Sequence, residues 1–214
     1  MPGEYSSSQV LLIHFGEARV HFHRICVFCG SNLGIKPAHR QAAVRVGRLL
    51  ADHEIELVYG GGNIGLMAVL ADTVLEAGGR VIGVIPESLL AKEVGHQGLT
   101  ELRVVGSMHE RKALMADLSD GFIALPGGYG TFEEFCEVVT WSQLGLHTKP
   151  CGVLNVEGYY DPLLELFDRA VCEGFLSAEN RKLVLEDGDP EELLRKMGEF
   201  VPIPASKWIE NGER

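Results

Sequence analysis

Short apolar runs alternate with longer amphipathic segments along most of the chain. The segments between the runs predict helices over residues 37–52, 63–78, 108–118, 131–145 and 161–174, with a last helix from about Asp189. The apolar runs predict strands, and they read RICVFCG, IELVYG, RVIGVIP, LRVVG, GFIALP, CGVLNV and, at an edge, RKLVLE. Strands that are apolar on both faces are typical of a parallel sheet covered by helices. The pattern therefore predicts an α/β fold, a doubly wound and mostly parallel sheet with helices on both faces.

The alternation also predicts how the 214 residues divide. We find no internal repeat and no linker, so we expect one domain spanning residues 24–200. Residues 1–23 do not follow the alternation and are interpreted as an N-terminal extension of unknown role. Residues 201–214 are expected to be a C-terminal tail.

Composition and charge exclude several classes of protein. The formal net charge of −11 and the lack of a basic patch argue against a nucleic-acid partner. No apolar run reaches the roughly 18 residues of a membrane span, and the start MPGEYSSS lacks the positive residues of a signal peptide. We therefore expect a cytoplasmic protein that does not bind membranes.

The cysteines fit the same location, because an odd and scattered set of five is not a disulfide framework. Cys26 and Cys29 form a CxxC pattern, but it lies inside a predicted strand. Residues three apart on a strand point to opposite faces. We favour buried, unreactive thiols over a redox or metal site.

A first glycine-rich loop, residues 59–65, follows the second predicted strand. Gly60, Gly62 and Gly65 match G-x-G-x-x-G, and Glu87 follows the next strand as a dinucleotide site would require. Against that interpretation, a dinucleotide fingerprint normally follows the first strand. The loop could instead help to bind a mononucleotide, or its glycines could serve tight helix–strand packing. All three interpretations stay open at this point.

A second glycine-rich loop, residues 126–131, lies in the stretch LPGGYGTFEE. Its glycines let the backbone approach a ligand, and Thr131 is predicted to stand where a helix begins, which makes an anion site. The lysine of an ATP-hydrolysing phosphate loop is absent. Thr131 and Glu134 also fit a capping box, and Glu133 fits a solvated first-turn acid.

The helix predicted over residues 108–118 carries the segment MHERK. Met108, Arg111, Met115 and Leu118 fall on one stripe, so Arg111 is expected to point inward and to need a carboxylate or phosphate partner. Lys112 lies about 100° round the helix and could reach a phosphate at the rim.

The three motifs YGGGNIGLM, MHERK and PGGYGTFEE occur in this order, and the last fits P-G-G-x-G-T-x-x-E. Together they resemble the Lonely Guy (LOG) family, the cytokinin riboside 5′-monophosphate phosphoribohydrolases, over residues 24–200. The resemblance implies a modified Rossmann-like nucleotide-binding fold and cleavage of the N-glycosidic bond of N6-substituted AMP. It implies no cofactor and no metal. It also implies a homodimer with active sites near the interface.

The resemblance implies two catalytic residues, Arg111 and Glu134. The candidate substrate-binding residues are Gly61, Gly62, Glu93, Met108, Lys112, Gly128, Tyr129, Gly130, Thr131, Phe132, Glu133 and Thr140. The family usually has glycine where this chain has Ala68, and we expect no loss of activity from that methyl group. Some relatives are labelled lysine decarboxylase, but no lysine is placed convincingly for a Schiff base. A nucleotide-binding module without catalysis and an NAD-dependent oxidoreductase are the alternatives.

Overall fold

The computed structural model describes residues 22–90 and 95–203. Predictions for the N-terminal extension up to residue 21, for Glu93 and for residues 204–214 lie outside the described residues. Within these ranges the strands are β1 Arg24–Phe28, β2 Glu56–Tyr59, β3 Val81–Pro86, β4 Glu101–Val105, β5 Gly121–Ala124, β6 Cys151–Leu154 and β7 Val184–Asp187. The helices are α1 Pro37–Asp52, α2 Gly65–Glu76, α3 Glu87–Leu90, α4 Met108–Leu118, α5 Tyr129–Gln143, α6 Asp161–Cys172, α7 Ala178–Arg181 and α8 Pro190–Gly198, with a 3-10 turn at Val156–Gly158.

The strands form one sheet in the order β4-β3-β2-β1-β5-β6-β7, and every neighbouring pair is parallel. The chain moves outward from β1 through β2 and β3 to β4. It then returns to the other side of β1 and continues outward through β5, β6 and β7. This confirms the predicted doubly wound sheet and places its switch point between β1 and β5.

Two apolar layers cover the sheet, one on each face. Ile25 and Val27 of β1 pack in the layer that includes residues of α1, α2 and α8. Cys26 and Phe28 point the other way, into the layer that includes residues of α4, α5 and α6. The alternation follows from the two-residue period of a strand. It puts α4 and α5 on the same face, which matters for the site described below.

The main differences from prediction lie at element ends and at one edge. Edge strand β4 is not covered on both faces, because its apolar residues Leu102 and Val104 are exposed. Helix α5 begins at Tyr129, two residues before the predicted start at Thr131. The short helices α3 and α7 were not predicted. No helix among the described residues has the length and apolar character that a membrane span needs.

Candidate active site

The loops after β1 and β5 meet at the switch point. The Gly30 N–H donates to the Pro126 carbonyl oxygen at 3.1 Å, and the Gly30 carbonyl accepts from the Leu66 N–H at 3.0 Å. The start of α2 and both loops are thus joined by backbone hydrogen bonds. In open α/β sheets, ligands bind in the crevice at this position.

Arg111 projects from α4 beneath this edge of the sheet and is only 6% exposed. Its Nε donates to the Val84 carbonyl oxygen at 3.1 Å and its Nη2 to the Gly60 carbonyl oxygen at 3.0 Å. The inward orientation is confirmed. Both carbonyls satisfy the buried cation, because each carries a partial negative charge. These bonds fix the guanidinium against β2 and β3.

The start of α4, which carries Arg111, is held by a side-chain cap. The Ser107 hydroxyl accepts from the Glu110 N–H at 3.1 Å, and the Glu110 carboxylate accepts from the Gly106 N–H at 2.8 Å. This reciprocal arrangement resembles a capping box. The spacing of Thr131 and Glu134 predicted such a box on α5. That prediction was wrong, because the N-cap of α5 is Gly128 and Thr131 lies inside the helix.

The first glycine-rich loop is closely packed. A methyl group added at Gly60 would overlap the guanidinium of Arg111, and one at Gly61 would lie 3.2 Å from Ile85 Cβ. Gly62 forms an isolated antiparallel bridge with Gly95. The loop follows β2 rather than β1, so the dinucleotide interpretation loses support. Gly60 and Gly61 are thus closely packed by neighbouring side chains.

The second glycine-rich loop is open where the first is closed. Gly127 packs on Thr131, whose Cβ would lie 2.7 Å from an added methyl group, but Gly128 and Gly130 have nothing within 4 Å at that position. Tyr129, between them, is 93% exposed. The N-cap residue Gly128 has no side chain to bind the first N–H groups of α5. An exposed helix N-terminus of this kind attracts anions.

Glu134 lies on α5, half-buried, in the second turn of the helix that begins at Tyr129. Burial raises the pKa of the Cys26 thiol on β1, and the nearby Glu134 carboxylate raises it further while the Arg111 guanidinium lowers it. Burial and the Glu134 carboxylate likewise raise the pKa of Cys29. The charges of Glu134 and Arg111 therefore both act on Cys26, in the middle of β1. Both thiols are buried and reduced, as the sequence predicted.

The ammonium of Lys112 is paired with two carboxylates of α5. It donates to the carboxylates of Glu133 and Glu137, the latter at 3.0 Å. Burial lowers the pKa of Lys112, but the bonds to Glu133 and Glu137 outweigh it and raise that pKa above its usual value. The cation thus links α4 to α5. Glu133 is ion-paired and lies beyond the first turn of α5, so its prediction as a solvated first-turn acid was wrong.

The other predicted residues differ in how close they come to the loops. Met108 is 40% exposed, and its sulfur lies 3.7 Å from Arg111 Nη1. Phe132 packs against the rings of both Tyr159 and Tyr160. The exposed Thr140 donates its hydroxyl to the Cys136 carbonyl and lies about 9 Å along α5 from Glu134. The structure therefore does not bring Thr140 to the second loop of its own chain.

One residue that contacts the second loop, Tyr159, was not predicted from the sequence. Tyr159 follows β6, and its hydroxyl donates to the Gly127 carbonyl oxygen of the second glycine-rich loop. The signal was available, because the loop after β6 leaves the same edge of the sheet as the loops that were considered. Among the described residues, no three His, Cys, Asp or Glu side chains are grouped to hold a metal ion.

Comparison with known proteins decides the family. The chain is 54% identical over 195 residues to the probable cytokinin riboside 5′-monophosphate phosphoribohydrolase LOGL1 of Oryza sativa subsp. japonica, covering 89% of this chain and 87% of that protein. This chain belongs to the LOG family. LOG of the same organism, named cytokinin riboside 5′-monophosphate phosphoribohydrolase, is 52% identical over 187 residues, with 87% and 77% covered. A family profile described as "Possible lysine decarboxylase" matches residues 67–197, which include both MHERK and the second glycine-rich loop.

A solved structure supports the fold of this LOG-family chain. The molybdenum cofactor binding protein from Rippkaea orientalis superposes with a TM-score of 0.60, covering 81% of this chain and 95% of that one. The sequence identity is 22%, so the likeness concerns the fold alone. It agrees with the Rossmann-like architecture expected from the sequence.

Proposed function

We propose that this protein hydrolyses the N-glycosidic bond of N6-substituted AMP, releasing the free base and ribose 5-phosphate, with AMP itself as a further candidate substrate. The observation that carries the proposal is that Arg111 and Glu134 converge on one strand: the charges of both act on Cys26 of β1, and Glu134 belongs to the helix α5 that begins at the open second loop. This convergence occurs in a chain that is about half identical to proteins named as phosphoribohydrolases.

The 5′-phosphate is assigned to the second glycine-rich loop. Gly128 and Gly130 leave open space there, and the first N–H groups of α5 carry a partial positive charge. Binding energy from the phosphate would position the ribose, so a nucleoside without phosphate should react poorly. Thr131, which is buried under Gly127, supports the loop from below rather than presenting its hydroxyl at the rim.

The ribose is assigned to Glu134. Glycosidic cleavage passes through an oxocarbenium-like state in which positive charge grows on the sugar. The C1′–N9 bond breaks, its electron pair leaves with the base, the base takes up a proton, and water supplies a hydroxyl group to C1′. A carboxylate at Glu134 stabilises the sugar's charge and can accept the water's proton. Arg111 favours the ionised carboxylate and orients the phosphate or the leaving base.

Lys112 distinguishes Glu133 from its neighbour Glu134, because it forms an ion pair with Glu133. Three carboxylates, Glu133, Glu134 and Glu137, lie within the first nine residues of α5 and would together repel a phosphate. Lys112 binds two of them, Glu133 and Glu137. We propose that this pairing offsets their charge at the phosphate site, so that Lys112 acts on the substrate through these acids.

We further propose that the protein is a cytoplasmic homodimer. The apolar side chains of Leu144 and Leu146 at the end of α5 are 48% and 70% exposed, which favours coverage by a second copy. Thr140, exposed on the same helix and remote from its own second loop, would then face the partner's site. Free cysteines support a reducing compartment.

The proposal is tested by product analysis. The protein is incubated separately with AMP, N6-isopentenyl-AMP and NAD, and the products are separated by chromatography. We expect free base and equimolar ribose 5-phosphate from N6-isopentenyl-AMP. Saturable nucleotide binding without released base would instead establish a binding module, and selective binding of NAD would revive the oxidoreductase hypothesis.

A further inference from the structure

Tyr159 contacts the second glycine-rich loop from outside. Its hydroxyl donates to the Gly127 carbonyl oxygen, and its ring is 37% exposed. We propose that Tyr159 is a positioning residue that holds this loop in its phosphate-binding shape. The inference rests on the proposed function, because it assumes that the loop binds the substrate's 5′-phosphate.

Three successive carbonyls at the end of β5 are held by donors from other parts of the chain. The Leu125 carbonyl accepts from the Tyr160 hydroxyl at 2.7 Å, and the Pro126 carbonyl accepts from the Gly30 N–H at 3.1 Å. The Gly127 carbonyl accepts from Tyr159. The last of these bonds is the one that reaches the open part of the loop.

The Gly127 carbonyl matters because of the peptide unit to which it belongs. A trans peptide is planar, so the Gly127 C=O and the Gly128 N–H point in opposite directions. With the oxygen held by Tyr159, the Gly128 N–H is directed away from Tyr159. Glycine on both sides of this peptide allows it to rotate at little steric cost. Rotation would turn a carbonyl oxygen toward the bound phosphate, and the Tyr159 hydrogen bond opposes it.

Tyr159 is itself rigidly placed. The Asn155 side chain accepts from the Tyr160 N–H at 2.8 Å and donates to Asp161 at 2.7 Å, which fixes the turn that carries both tyrosines. The Tyr159 ring lies 5.7 Å from the His39 ring and 6.4 Å from the Phe132 ring, centroid to centroid. Its hydroxyl can therefore act as a fixed donor.

Tyr160 provides a matched control. Its hydroxyl also binds a main-chain carbonyl, but the ring is only 1% exposed and the partner, Leu125, belongs to the buried end of β5. Removing that hydroxyl leaves a buried carbonyl without its donor, which costs stability. Tyr159→Phe thus removes the hydrogen bond to the second loop, whereas Tyr160→Phe removes one to the buried end of β5.

The test compares wild type, Tyr159→Phe and Tyr160→Phe. For Tyr159→Phe we expect KM for N6-isopentenyl-AMP and Kd for ribose 5-phosphate each to rise about 3- to 10-fold, the loss of one hydrogen bond, with kcat within about twofold. For Tyr160→Phe we expect a lower Tm with both constants near wild type. Unchanged KM and Kd in Tyr159→Phe, or a lower Tm as its main effect, would overturn the positioning role.

Failure of the proposed function is separable from failure of this inference. If the wild type releases no base, the proposed reaction is wrong, and the Kd for ribose 5-phosphate still decides the role of Tyr159. Weaker binding by Tyr159→Phe alone would support the role. If the wild type does not bind ribose 5-phosphate at all, the loop is not a phosphate site and the inference fails with it.

Discussion

The loops after β2 and β5 each contain several glycines within a few residues, at the same edge of one sheet. In the first loop, Gly60 and Gly61 are enclosed by Arg111 and Ile85, and Gly62 is bridged to another segment. In the second loop, Gly128 and Gly130 face open space. Glycine serves close packing in the first case, and in the second it leaves open the space that we assign to a ligand.

This difference assigns the two loops separate tasks. The first loop supplies the Gly60 carbonyl that binds Arg111, so it scaffolds a catalytic candidate. The second loop presents the N-terminus of α5, so it is the candidate phosphate site. Substitutions in the first loop should therefore affect the fold or Arg111, and substitutions in the second should affect substrate binding.

The largest effect on stability is expected at Gly65, where the first loop ends. Gly65 has φ +59°, and an added methyl group would overlap the main chain of Ser31 and Asn32. We expect Gly65→Ala to lower the free energy of unfolding by about 3–5 kcal/mol, from overlap plus a left-handed backbone. Urea denaturation measures it.

Gly78→Ala is the matched control for that substitution. Gly78 also has a positive φ, +81°, but nothing lies within 4 Å of an added methyl group. We expect a loss of about 1–2 kcal/mol, from backbone strain alone. Equal losses at the two positions would show that close packing does not define the first loop.

The next effect is expected at Gly60. An added methyl group meets only the end of a side chain, the Arg111 guanidinium, which can move at moderate cost to the fold. Movement would break the bonds to the Gly60 and Val84 carbonyls and misplace the cation. We expect Gly60→Ala to lower kcat/KM about 100-fold or more while the chain stays folded at 25 °C. Near-normal kcat/KM in this variant would contradict a catalytic role for Arg111.

The smallest of the three effects is expected at Gly130, in the first turn of α5. Alanine is a better helix former and meets no protein atom within 4 Å, so we expect the free energy of unfolding to change by less than about 1 kcal/mol. The methyl group would obstruct the approach of a phosphate, and we expect KM to rise about tenfold. If Gly130→Ala lowered the free energy of unfolding and left KM unchanged, the glycine would serve packing, as in the first loop, and the contrast between the loops would fail.

Much of the fold could be predicted because periodicity reports burial. The start and end of α1 and α4 were predicted at the observed residues, Pro37–Asp52 and Met108–Leu118. Exposure of β4 could not be predicted, because strand order decides which strand lies at an edge. The start of α5 was missed because Gly128, which lacks a side-chain cap, is its N-cap.

The site was predictable in its motifs but not in its contacts. The inward direction of Arg111 followed from helical spacing, whereas its carbonyl partners come from β2 and β3, distant in sequence. Lys112 pairs with acids of α5 because α4 and α5 cover the same face of the sheet. The Tyr159 contact depends on β6 lying beside β5. Such contacts depend on tertiary structure.

The most direct measurement compares Glu134→Gln with Glu133→Gln in release of base from N6-isopentenyl-AMP. Each substitution removes one charge from neighbouring positions on α5. We expect Glu134→Gln to lower kcat about 1,000-fold, because charge on the ribose is no longer stabilised. Glu133 is an exposed partner of Lys112, and we expect Glu133→Gln to lower kcat less than about tenfold. Near-normal turnover by Glu134→Gln, or equal losses in both variants, would contradict Glu134 as the catalytic carboxylate.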